Sequence, residues 1–153
     1  MGLFPLFKQK EFFTTVEKQL IIEAVQNAEQ KTSGEVRVFV ESRCRYVDAI
    51  DRAAEIFFGL EMQKTDQRNA TLIYVAIKDH QLAVFGDEGI HQKVGNAYWE
   101  DKVQKMISNF NRNNYAEGIK QCVIEIGEAL HTHFPYDKQT DKNELPDDIV
   151  FGR

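Results

Sequence analysis

Apolar and polar positions alternate along this chain in two periods, and the switches between them mark its elements. Val16, Leu20, Ile21, Ala24, Val25 and Ala28 recur at helical spacing, and Thr14 to Glu17 has the form of a capping box, so a helix is expected from about Thr15 to Gln30. Thr32-Ser33-Gly34 ends it. From Glu35 to Glu41 the period drops to two, with Val36, Val38 and Val40 on one side and Arg37 and Phe39 on the other, a strand signature. A second helix is expected from Asp48, a capping residue, with Ile50, Ala54, Phe57 and Phe58 as its core stripe.

The stretch from Arg68 to Ile90 organises the rest. Ala70 to Ile77 is a near-continuous apolar run that reads as a central strand, and Leu82 to Phe85 follows after the turn residues Lys78 to Gln81, giving a hairpin. Strand, helix and strand make a βαβ unit. If its strands are parallel and the third is antiparallel, three loops meet at one sheet edge: Thr32 to Glu35, Thr65 to Asn69, and Gly86 to Gly89. Crevices in open α/β sheets more often lie at the carboxyl ends of parallel strands, so this placement departs from the default because of the antiparallel third strand.

Beyond Gly89 a short helix is expected from Ile90 to Gly95. A longer one runs from Tyr98 to Phe110, with Trp99, Val103, Met106, Ile107 and Phe110 on one face. A final helix opens at an Asn114 cap and carries Tyr115, Ile119, Cys122, Val123, Ile126 and Leu130. The fold class is therefore α/β, a small mixed sheet with a βαβ unit and a hairpin, flanked by helices on both faces. One domain spans residues 1–134. Residues 135–153 form a polar tail for which two states are open, disorder or a clasp on the domain through Leu145, Ile149, Val150 and Phe151.

Composition narrows the function classes. The 153 residues are 42% hydrophobic and 28% charged, ordinary for a soluble globular chain, and the net charge of -5 argues against a general nucleic-acid binder. Cys44 and Cys122 are far apart and lack a C-x-x-C partner, so buried thiols are expected rather than zinc or a disulfide. The opening residues lack the basic and apolar regions of a signal peptide, Leu6 stands where N-myristoylation expects Ser or Thr, and no window reaches membrane-span length; a cytoplasmic location is expected. Phe4, Phe7, Phe12 and Phe13 are expected to pack on the first helix.

No G-x-S-x-G, G-x-x-x-x-G-K-[ST], H-E-x-x-H or D-x-D motif occurs, and an EF-hand begun at Asp87 would place Tyr98 where its final Glu belongs. His131 and His133 lie two apart and suit a helix C-terminus better than a metal. An acidic cluster remains. Asp87, Glu88 and Glu100 are hard oxygen ligands suited to Ca²⁺ or Mg²⁺, with Ser33, Glu35, Asp66, Arg68 and Asn69 on the converging loops beside them. The structural reading of the same residues makes the acids helix caps and Arg68 their ion-pair partner.

Several blocks together resemble the TPM domain: Thr32 to Val38, Arg68 to Ile73, Gly86 to Ile90, Trp99, and Asn143 to Asp147. The resemblance implies an α/β sandwich. Members include thylakoid lumen proteins linked to photosystem repair, membrane-anchored bacterial proteins and a receptor-associated animal protein. Divalent-metal binding and acid phosphatase activity are attributed to parts of the family. Two functions follow. In the first, Asp87, Glu88 and Glu100 hold Ca²⁺ or Mg²⁺ in a regulatory module read by a protein partner. In the alternative, a metal-assisted phosphatase hydrolyses phosphate monoesters and Arg68 and Asn69 steady the phosphate oxygens; this reading has no clear nucleophile or positioned base, and nothing in the sequence singles out Ser33 or His91 for either role.

Overall fold

Thr14 starts the first helix as its sequence predicts: its hydroxyl accepts from the Glu17 N–H at 3.0 Å, and the Glu17 carboxylate accepts from the Thr14 N–H at 2.9 Å. The computed structural model describes residues 12–136 and 149–151. Helix α1 spans Thr15–Glu29, strand β1 Glu35–Glu41, helix α2 Ala49–Gly59, strand β2 Ala70–Ala76, strand β3 Gln81–Gly86, helix α3 Glu88–Val94, helix α4 Asn96–Asn111, helix α5 Tyr115–His133 and strand β4 Val150–Phe151.

The strands form one sheet in the order β3-β2-β1-β4. β1 pairs with β2 in parallel from Glu35 beside Ala70 to Glu41 beside Ala76. β3 pairs antiparallel with β2 from Gly86 opposite Thr71 to Gln81 opposite Ala76. Every residue of β1 and β2 is buried, as central strands covered on both faces require, whereas β3 lies at an edge and is half-buried at its ends.

The two faces are covered unequally. Val36, Val38, Val40, Ile73, Val75 and Val84 pack into a core shared with α1, α4 and α5; Phe39, Leu72, Tyr74 and Ala83 pack against Ala53, Ile56 and Phe57 of α2. α1 and α5 approach closely, because a Cβ on Gly127 would stand 2.6 Å from that of Ala28. That crossing selects Ile21, Ala24 and Val25 as the buried face of α1 and leaves Val16 and Leu20, expected on it, in solvent.

A similar correction applies to α2. Its buried residues are Ala53, Ile56 and Phe57, while Ile50 and Phe58, expected in the core, are 44% and 46% exposed. The reason is geometric: α2 is the helix over this face of the sheet, and residues on its flanks overhang the β3 edge. Asp48 and Asn114 precede α2 and α5 without making side-chain caps. Both thiols are free and buried.

Part of the tail does clasp the sheet. Ile149 is buried in the larger core, and Val150 and Phe151 pair in parallel with Phe39 and Val40. Phe13 is buried and Phe12 packs edge-on against Phe13 and Tyr115. Phe4, Phe7, Leu145 and the Asn143 to Asp147 block lie outside the described residues. Among the described residues, no helix is long and apolar enough to cross a membrane.

Candidate functional site

The three loops do meet at one rim of the sheet. The Asp87 N–H donates to the Ala70 carbonyl at 2.9 Å, and the Gly89 N–H donates to the Arg68 carbonyl at 2.8 Å, joining the loop after β3 to the loop before β2. The loop before β1 joins them through Asn69. Its carbonyl accepts from the Glu35 N–H at 3.5 Å, and its side-chain amide donates to the Ser33 hydroxyl at 3.2 Å.

Two backbone positions hold this junction. Arg68 has φ of 51°, a left-handed conformation that costs an ordinary residue roughly 1 kcal/mol or more and here turns its carbonyl toward Gly89. Gly89 allows the approach: a Cβ there would lie 2.0 Å from the Gln67 carbonyl oxygen and 2.6 Å from that of Arg68.

Across the junction Arg68 binds Asp87 with two parallel hydrogen bonds, Nε to Oδ2 at 2.7 Å and Nη2 to Oδ1 at 2.8 Å. Its Nη1 reaches Glu88 Oε1 at 3.3 Å. Such a fork is the strongest geometry an arginine and a carboxylate adopt, and the Asp87 carboxylate holds the guanidinium above its ordinary pKa. Asp87 is 2% exposed, and its Oδ1 also accepts from the Glu88 N–H at 2.8 Å, opening α3. Asp87 therefore caps α3 and Arg68 is its ion-pair partner.

The expected trio is not gathered into a cage. Among the described residues, no group of three or more His, Cys, Asp or Glu side chains is placed to hold a metal ion. Both oxygens of Asp87 are taken by Arg68, Glu88 is exposed and shares the same guanidinium, and Glu100 is exposed on the first turns of α4. Glu35 is buried at the start of β1. Asp66 is exposed in its turn and makes no hydrogen bond or ion pair among the described residues.

The three acids nevertheless share one cavity. A groove of about 790 Å³ opens between α2, the β3 edge and α4; Asp87, Glu88, Glu100 and Arg68 are among its lining, and Ile50, Phe58, Phe85 and Trp99 supply apolar walls. The Trp99 ring lies against Gly86, where a Cβ would stand 2.2 Å from it, and the indole N–H donates to His91 Nδ1 at 3.0 Å. Periodicity placed Trp99 in the core, where it is buried, but assigned Ile50 and Phe58 there as well and so missed this wall. Gly86 was its signal, since a glycine within a strand marks a close approach.

Comparison with known proteins bears on the family and the fold. No curated protein matches the chain. Among solved structures, BA42 from the psychrophilic bacterium Bizionia argentinensis superposes with a TM-score of 0.83 at 35% identity, over 92% of this chain and 96% of that one. The N-terminal domain of a P. gingivalis protein shares the fold at 13% identity, with a TM-score of 0.64 over 82% of each chain. The family model described as the TPM domain matches residues 6–129, and the chain belongs to that family.

Proposed function

We propose that this TPM domain is a divalent-cation-responsive binding module, in which Ca²⁺ or Mg²⁺ acts at the rim formed by Asp87, Glu88 and Glu100 and a partner protein reads the adjoining groove. The observation that carries the proposal is the sharing of one guanidinium by two carboxylates. Asp87, Glu88 and Glu100 line one cavity in which Arg68 is the cationic side chain that offsets them, so its lining keeps a negative excess that favours a further cation. The donors are hard oxygens, right in kind for these ions. As placed, Asp87 serves Arg68, so a divalent ion competes with that side chain and does not enter a preformed cage.

Phosphate-ester hydrolysis has less to rest on. The Arg68 fork that would hold phosphate is engaged by Asp87, the Ser33 hydroxyl is engaged by Asn69, and His91 Nδ1 accepts from Trp99. No nucleophile is paired with a base among these residues.

Calcium and magnesium titrations followed by calorimetry and NMR test the proposal. Saturable binding is expected with shifts centred on Arg68, Asp87 and Glu88; Asp87→Asn weakens it and Arg68→Gln, by removing the competitor, tightens it. Titrations flat in both the parent and Arg68→Gln overturn the cation role.

A further inference from the structure

Strand β3 is one edge of the sheet, opposite β4, with its outer side unpaired among the described residues, and its hydrogen-bond phase can be read. The Asp87 N–H to Ala70 carbonyl bond makes Ala70 and Asp87 a hydrogen-bonded pair, and in an antiparallel ladder such pairs alternate with non-bonded ones. Phe85, Ala83 and Gln81 therefore exchange hydrogen bonds with Leu72, Tyr74 and Ala76. Leu82, Val84 and Gly86 turn their N–H and carbonyl groups outward.

Those outward groups form the floor of the groove. Ile50 and Phe58 of α2 rise on one side, where β3 presents Ala83 and Phe85, and Trp99 and Val103 of α4 rise on the other, where it presents Leu82 and Val84. A slot with hydrogen-bonding groups on its floor and an apolar wall on either side matches the cross-section of a β-strand, whose side chains point alternately to opposite sides. The six residues of β3 span roughly 20 Å, enough to pair a strand of ordinary length.

Charge selects the occupant. Asp48, Asp87, Glu88 and Glu100 border the groove against the one guanidinium of Arg68, leaving three more negative than positive charges. We infer that the groove takes an extended segment of a partner protein with alternating apolar residues and lysine or arginine, which adds to the sheet beside β3. The inference rests on reading the domain as a binding module and names the class of partner and the mode of recognition.

A library of random twelve-residue linear peptides, selected on the whole chain in EDTA, supplies the probes. Enriched peptides should combine alternating apolar residues with basic ones, and amide exchange should slow at Leu82, Val84 and Gly86, while Ala83 and Phe85, already bonded to β2, change little. Ile50→Arg and Glu100→Lys, both at exposed positions, should each weaken the selected peptides at least tenfold with the far-ultraviolet spectrum unchanged. Absence of such enrichment, or bound peptides that leave the three outward amides unprotected, overturns the inference. So does concentration-dependent self-association abolished by Ile50→Arg, which would make the occupant a second copy of this chain. Because selection is run without divalent ions, loss of peptide binding and loss of cation binding are read separately.

Discussion

Asp87 gives both carboxylate oxygens to Arg68, nineteen positions earlier, and with one of them also caps α3. One buried side chain thus fastens two loops and starts a helix. The two roles separate by substitution, because Asn keeps an oxygen for the Glu88 N–H and loses the charge, whereas Ala loses both. Asp87→Ala is expected to cost about 2–3 kcal/mol in urea unfolding, and Asp87→Asn less than half of that. Equal losses would mean that the cap contributes nothing.

Gly89 and Gly86 make a contrasting pair. A methyl at Gly89 meets the backbone oxygens of Gln67 and Arg68, which move only if the loops part, while a methyl at Gly86 meets the Trp99 ring, which can tilt. Gly89→Ala should therefore cost about 3 kcal/mol or more, and Gly86→Ala about 1–2 kcal/mol together with a shift in Trp99 fluorescence. Thermal and urea denaturation rank the two. The opposite order would contradict the junction as described.

What the sequence revealed of this fold was what local pattern encodes. The capping box at Thr14, the alternation from Val36 to Val40 and the apolar run from Ala70 each depend on neighbours in the chain, and each forms as expected. The convergence of the Ser33, Asn69 and Asp87 loops was legible too, because parallel and antiparallel pairing fix which strand ends share an edge. Periodicity failed where a helix meets the limit of what it covers. Ile50 and Phe58 look like core because they are apolar at helical spacing, but only the width of the sheet beneath α2 decides whether anything covers them. Composition could name Asp87 as a ligand, but it could not show that Arg68 already holds both of its oxygens.

Opposite the candidate site, at the carboxyl end of β1, Glu41 is buried and receives Nε and Nη2 of Arg52 at 2.9 and 3.0 Å and the Tyr74 hydroxyl. Burial first, and the Glu41 carboxylate after it, push the Tyr74 hydroxyl above its ordinary range. Replacing Arg52 by Met strands a buried charge and should cost about 3 kcal/mol. In a Tyr74→Phe background, which removes the buried hydroxyl that Glu41 accepts, the double variant Glu41→Leu with Arg52→Met removes the charge as well and should recover at least half of the loss. A double variant as unstable as the single would show that the side chains matter through packing and not through the ion pair.

Glu125 on α5 couples stability to pH. Burial works to raise its pKa, but hydrogen bonds from Lys102, Gln121 and Lys105 outweigh burial and hold it below the ordinary 4.5. Lys102 is itself buried over the Tyr98 ring, with Nζ 4.6 Å from the centroid, so it has little other solvation. Asp101 faces the same two lysines, which hold it low as well, and a pH profile of the native protein sums both acids. The sign follows from linkage. A carboxylate with a depressed folded pKa binds fewer protons folded than unfolded between the two values, so its contribution is complete above about pH 5.5 and is lost as pH falls through 4.5 toward the folded pKa. Solvent on the outer side of the pair limits that contribution to about 1 kcal/mol. Urea unfolding of the parent and Glu125→Gln, both carrying Asp101→Asn to silence the second acid, should show a stability difference that is constant from pH 6 to 8 and shrinks by about 1 kcal/mol on acidification to pH 3. A difference that is flat or grows toward acid would mean that Glu125 titrates no lower in the folded protein than in the unfolded chain.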